Sequence, residues 1–148
     1  MSALVNSAKK HTHSPAHSPL RILLVEDNDD TAWSMAALLG RHGYEIEVTK
    51  DGPSALQVSA TYQPDVVLLD IGMPEMDGWQ LARQIRQQQN GRQPVLIAVT
   101  GYATTADRQR SQEAGINLHF AKPADPKELL EVLAKLSQIG RQELADSA

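Results

Sequence analysis

Val66-Val67-Leu68-Leu69-Asp70 decides the fold: four consecutive apolar side chains run straight into a carboxylate. An unbroken apolar run this short predicts a strand buried on both faces, as in a parallel sheet covered by helices. Two other stretches match it. Ile22-Leu23-Leu24-Val25 runs into Glu26-Asp27, and Val95-Leu96-Ile97-Ala98-Val99 runs into Thr100-Gly101. Two further segments alternate instead. Tyr44-Glu45-Ile46-Glu47-Val48 and the short Leu118-His119-Phe120 read as edge strands with one wetter face.

Helical patterns fill the intervals. Residues 29–41 place Trp33, Ala36, Ala37 and Leu38 on one apolar stripe, and 53–62 open with Pro53, suited to a first helical turn. Asp77 and Gln80 have capping-box spacing ahead of Leu81, Ala82 and Ile85. Residues 104–114 are mostly polar, with Ala106 and Ala114 as the main apolar points, so that helix is expected to be well exposed. The last helix starts at Asp125-Pro126, carries Leu129, Leu130, Val132, Leu133 and Leu136, and is expected to stop near Gly140. Trp33 and Trp79 each fall early in a helix and read as packing residues. Five β-α repeats predict an α/β fold with a doubly wound, five-stranded parallel sheet. Continuous runs in the centre, alternating runs at the edges and right-handed crossovers give the order 2-1-3-4-5. Ligands of such sheets bind at the carboxyl ends of the strands, where the first and third strands part.

Composition narrows the function. The chain has 148 residues, a net charge of −4, no cysteine and 4% aromatics. That length suits one domain. Disulfides, thiolate metal sites and cysteine nucleophiles are excluded. No apolar run approaches the roughly 20 residues of a membrane span, and the first residues lack the apolar core of a signal peptide. The acidic balance does not suit nonspecific nucleic-acid binding, which neutralises phosphates with Lys and Arg. Residues 1–19 read as a flexible N-terminal tail and 139–148 as a short polar C-terminal tail, leaving 20–138 as the domain. His11, His13 and His17 lie in the Pro-broken first segment, where they read as a solvated tail rather than a metal site.

The strand ends carry the chemistry. Glu26-Asp27, Asp70, Thr100 and Lys122-Pro123 are delivered by four strands to one edge of the sheet. Singly, Glu26 and Asp27 could be acids favoured by a helix dipole, and Asp70 a strand-terminating turn residue. Together, three converging carboxylates repel one another unless a cation is present. All-oxygen ligands suit a hard ion such as Mg²⁺. Asp70 is a potential carboxylate nucleophile toward a phosphoryl group, a chemistry that needs charge compensation more than proton transfer. Lys122 supplies a point charge, Thr100 a hydroxyl donor, and Gly101 room beside it. The Lys122-Pro123 bond is open to the cis form.

Glu26-Asp27, Asp70 with Met73-Pro74 and Met76-Asp77-Gly78, Thr100-Gly101 and Lys122-Pro123 resemble the receiver domain of two-component response regulators, over about residues 20–138. The resemblance implies a flavodoxin-like (βα)5 sandwich. It implies that Asp70 accepts a phosphoryl group from a phosphohistidine on a sensor histidine kinase or histidine phosphotransfer protein. Glu26, Asp27 and Asp70 would hold Mg²⁺ with the Gly72 backbone carbonyl, and Thr100 and Lys122 would contact the phosphoryl oxygens. On activation Thr100 would move toward the phosphate and the region 104–138 would change its affinity for a downstream protein. Such a chain is not an enzyme beyond its own phosphorylation and autodephosphorylation. It is cytoplasmic, without nucleic-acid or membrane partners.

Where this family often carries Tyr or Phe, three residues before the site lysine, this sequence has His119. His119 reads either as an exposed edge residue or as an imidazole taking the switch role, with Phe120 facing the opposite, buried side. Tyr102 is expected to shield the attacking-water path and tune phosphate lifetime, while Gly72 leaves that path open. Thr100-Gly101-Tyr102-Ala103 with His119 is similar to receivers attached to hybrid sensor kinases. No output module is expected after Leu136, so the reading is a single-domain response regulator acting through protein contacts. Two alternatives keep the fold: a phosphorylation-independent docking module, and an Mg²⁺-dependent phosphohydrolase. The second would need a general acid two residues from Asp70, where Gly72 stands.

Overall fold

The computed structural model describes residues 19–72, 76–88, 93–101 and 104–147, the last eight by backbone alone. Strands and helices alternate: β1 (Arg21–Val25), α1 (Asp29–Arg41), β2 (Glu45–Thr49), α2 (Gly52–Tyr62), β3 (Val66–Asp70), α3 (Gly78–Gln87), β4 (Val95–Thr100), α4 (Thr105–Glu113), β5 (Leu118–Ala121) and α5 (Pro126–Ser147). The strands form one parallel sheet in the order β2-β1-β3-β4-β5. Burial follows the apolar runs. Every residue of β3 is buried, whereas β2 buries only Thr49 and β5 buries none.

Alternating residues separate the two sheet faces. Leu23, Val25, Val67, Leu69, Leu96 and Ala98 join Ala55 of α2 and Leu81, Ala82 and Ile85 of α3 in one hydrophobic cluster. Ile22, Leu24, Leu68 and Ile97, on the other face, are equally buried. Burying a side chain of this size contributes about 1.5–3 kcal/mol. The continuous runs therefore stabilise both layers at once.

The helices that follow β1, β2, β3 and β4 start close to the carboxyl edge, each with a cap. Asn28 Oδ1 accepts from Thr31 N at 2.9 Å, Asp51 Oδ1 from Ser54 N at 2.7 Å, and Thr104 Oγ1 from Asp107 N at 3.1 Å. Asp77 and Gln80 complete the expected capping box. Gly78 has a steric reason. A Cβ there would lie 2.7 Å from Ile71 Cα and 2.9 Å from the Asp70 carbonyl oxygen. Its N–H donates to Ile71 O at 3.0 Å, so α3 begins directly against the end of β3.

Several expectations are corrected. Trp33 is 76% exposed and does not pack. The inward stripe of α1 is Ala32 and Leu39, seven residues apart, with Met35 and Ala36 half-buried between them. That registers α1 one position away from a stripe through Trp33. Ala106 is exposed, leaving Ser111 as the buried residue of α4. α5 is a separate compact unit from Leu20–Asp125. It starts at Pro126 as expected, and Leu129 and Leu133, one turn apart, are buried. Its backbone continues through Gly140 to Ser147. One interior glycine costs only about 1 kcal/mol relative to alanine, and the good helix formers after it sustain the turn.

Candidate functional site

The sheet register sets the site. Val25 lies opposite Leu69, and Asp70 opposite Val99, so β1, β3 and β4 end at adjacent levels. Glu26 continues from β1 with its N–H donated to Thr49 O at 3.0 Å. Carboxylate oxygens of Glu26, Asp27 and Asp70 lie within 4.8 Å of one another. Glu26 and Asp70 are buried at 6% and 9% exposure, and Asp27 is exposed. The cluster thus has two acids fixed in the protein and one facing solvent.

Both Asp70 oxygens are engaged. Oδ2 pairs with Lys122 Nζ at 2.9 Å, and Oδ1 accepts the Gly72 N–H at 3.0 Å. Glu26 Oε2 accepts the Asn28 N–H at 3.1 Å. Burial pushes the Glu26 carboxyl up, and the charges of Asp70 and Asp27 push the same way. The Asn28 hydrogen bond and Lys122 oppose this without cancelling it. For Lys122, partial burial pulls the ammonium down. The hydrogen bond and charge of Asp70, with Glu26 and Asp27, outweigh that and raise it. Three carboxylates against one ammonium leave a negative surplus. A cavity of about 490 Å³ reaches this point, lined mainly by apolar groups such as Leu24, Met35, Leu68 and Val99.

Thr100 is fully buried at the end of β4, opposite Ala121, and its carbonyl accepts the Lys122 N–H at 2.8 Å. The Lys122–Pro123 bond is cis. Gly101 is exposed, and a Cβ there would meet nothing within 4 Å. His119 pairs with Ala98 in the register and is half-buried, its Nδ1 shielded from solvent. It is therefore not the exposed edge residue of the simpler reading. Phe120, expected to be buried, is half-buried like His119, because β5 is an edge strand. Met73, Pro74, Tyr102 and residues 1–18, with His11, His13 and His17, lie outside the described residues.

Sequence reasoning did not find every neighbour. Lys50, directly after β2, pairs with Asp29. That engages the acid next along the chain and leaves Glu26, Asp27 and Asp70 as the group facing one another. Trp79, Ser111 and Arg110 also meet, joining α3 to α4. Only the polarity of α4 hinted that something other than an apolar stripe must hold it.

The response regulator receiver domain family matches residues 22–134, which contain the whole acid cluster, Thr100 and Lys122. The chain belongs to this receiver family. Among curated relatives, the polar-differentiation response regulator DivK of Brucella anthropi is 29% identical over 115 residues, covering 78% of this chain and 94% of that protein. Response regulator MprA of Mycobacterium sp. (strain KMS) is 34% identical over 112 residues, covering 76% of this chain. The chain spans about half of MprA, at 48% of its length. A solved structure, the receiver domain of sensor histidine kinase PA1611 from Pseudomonas aeruginosa PAO1, aligns with a TM-score of 0.73 and 35% identity. The match covers 80% of this chain and 98% of that one, and that receiver has a magnesium ion coordinated in its active-site cleft. The receiver assignment agrees with the flavodoxin-like topology. Among the described residues, no helix is long and apolar enough to cross a membrane.

Proposed function

We propose that this receiver is a cytoplasmic phosphoacceptor switch of a phosphorelay, occupying residues 20–138 of the chain, with Asp70 as the modified residue. The observation that carries the reading is the setting of Asp70. It is a nearly buried carboxylate at the end of the central strand, paired with Lys122 and within 4.8 Å of two further acids. A carboxylate oxygen of Asp70 attacks the phosphorus of a phosphohistidine on a sensor kinase or phosphotransfer protein. The P–N bond breaks as the P–O bond forms. The leaving imidazole nitrogen keeps the electron pair and takes a proton from solvent.

The donor set fits a hard divalent ion. Glu26, Asp27 and Asp70 offer only oxygen, and their negative surplus is what a cation offsets. Mg²⁺ would be held by these three side chains with the Gly72 carbonyl, and when bound it supplies charge neutralisation to the transferring phosphoryl oxygens. The chain's own groups do the rest. Lys122 leaves the Asp70 carboxylate for a phosphoryl oxygen, and the Thr100 hydroxyl donates to another. The Gly72 N–H holds Asp70 in place. Thr100 ends β4 and Lys122 directly follows β5, so drawing them toward Asp70 biases the surface built by α4 and β5. That surface is the proposed output to a partner protein, with His119 and Tyr102 tuning the switch.

Incubation with Mg²⁺ and acetyl phosphate followed by intact mass tests the reading. A single phosphoryl adduct lost in Asp70→Asn is expected. No adduct with any donor would favour a phosphorylation-independent docking module, and rapid multiple-turnover phosphate release would favour a hydrolase.

A further inference from the structure

Within its nine residues α4 has almost nothing apolar with which to hold its place; apolar burial begins only at its C-cap, Ala114. Its sequence is Thr-Ala-Asp-Arg-Gln-Arg-Ser-Gln-Glu, and Ser111 is its buried residue. Ser111 Oγ, at 2% exposure, accepts the indole N–H of Trp79 at 2.9 Å. The guanidinium of the neighbouring Arg110 lies 3.8 Å from the centroid of the same ring. Both contacts come from the last half of α4. The other end of the helix is tied differently: its cap, Thr104, follows Thr100 by four residues.

The two attachments lead back to one place. Thr100 ends β4 beside the acid cluster. Trp79 follows Gly78, which is bonded to Ile71 O directly after Asp70. Thus α4 is strung between the carboxyl ends of β3 and β4. We propose that Trp79, Ser111 and Arg110 form a latch that opposes displacement of α4 and sets how readily a change at Asp70 moves it. The latch rests on the proposed role of Asp70 and Thr100, and adds the resistance they work against. Its chemistry suits a reversible catch. A buried indole donor and hydroxyl acceptor are costly to leave unmatched, yet one hydrogen bond and one cation–π contact are small enough to be overcome by phosphoryl contacts.

The test uses Ser111→Ala, Trp79→Phe and Arg110→Gln in the full chain. Arg110 is exposed, so its variant keeps the core intact. Beryllofluoride with Mg²⁺ serves as the phosphoryl analogue, and hydrogen exchange of residues 105–113 reports α4. Removing the latch should tighten analogue binding on the order of fivefold for Ser111→Ala and Trp79→Phe. Arg110→Gln should give about threefold. The α4 amides of the analogue-free variants should exchange faster. Wild-type affinity with wild-type exchange overturns the latch, as does a lower melting temperature with unchanged affinity. If the wild-type protein itself binds no analogue, the reading of Asp70 fails, and α4 exchange alone decides the latch: faster exchange supports it and unchanged exchange overturns it.

Discussion

Glu26→Gln should stabilise the receiver without metal and destabilise it relative to wild type with metal. The variant keeps the shape of the side chain and an oxygen that accepts the Asn28 N–H, but removes the charge. Glu26 faces two carboxylates within 4.8 Å and one ammonium, so about one repulsion remains uncompensated. At that separation a pair of charges interacts by about 1–3 kcal/mol between the screening limits of water and a partly buried site. Weakening the hydrogen bond to Asn28 returns part of this, leaving about 1 kcal/mol, or about 3 °C in melting temperature for a chain of this size.

The pH dependence has a fixed sign. Because the folded state raises the Glu26 pKa, the folded chain holds that proton more tightly than the unfolded chain. The contribution is complete below the ordinary carboxylate range and is lost as pH rises through the raised value. The advantage of Glu26→Gln is therefore largest at neutral pH and vanishes in acid. Adding Mg²⁺ reverses the order, since tenfold excess over the dissociation constant stabilises wild type by about 1.4 kcal/mol and the variant by much less. Melting curves at pH 7 and pH 4, with EDTA and with Mg²⁺, measure all of this. A variant that melts below wild type in EDTA at neutral pH, or that gains as much from Mg²⁺, would refute the reasoning.

Arg86→Ala should cost about 3 kcal/mol, because its guanidinium bridges Gly115 O, Pro94 O and Asn117 Oδ1 at 2.8–3.0 Å; the two carbonyls would lose this donor, while Asn117 Oδ1 would keep only the Leu96 N–H. Urea unfolding should show a lower midpoint at unchanged slope. Gly78→Ala places a methyl 2.7 Å from Ile71 Cα, which only a backbone shift relieves. It should lose about 2 kcal/mol and slow phosphorylation by acetyl phosphate, read by melting and by intact mass. Tyr102→Ala should alter the decay of the phosphorylated form, followed by phosphate release, and an unchanged decay removes Tyr102 from the water path. His119→Ala should weaken phosphorylation-dependent partner binding, and unaltered binding removes the histidine from the switch.

The order of the sheet was legible because burial on both faces leaves an unbroken apolar signature. Val66–Leu69 and Ile22–Val25 have no polar positions to mislead. The candidate site was legible for a related reason. In a parallel sheet every strand delivers its last residues to the same edge, so Glu26, Asp70, Thr100 and Lys122 could be brought together by topology alone. What escaped was chemistry between elements that share no periodicity. Trp79 and Ser111 are 32 positions apart, and a serine in a polar helix carries no mark of being buried. Trp33 misled for the converse reason. A large aromatic early in an amphipathic helix usually packs, yet the small Ala32 next to it takes the inward position. The end of α5 also depended on context, since Gly140 is a stop signal only where the following residues gain nothing from remaining helical.

The central claim is that Asp70 carries the phosphoryl group. Borohydride reduction of the acetyl phosphate-treated protein converts an acyl phosphate to homoserine, and peptide mapping then locates it. Homoserine at position 70, absent without Mg²⁺ or donor, is the result the account predicts. Homoserine at another acid, or none in protein that carries a phosphoryl adduct, would contradict it.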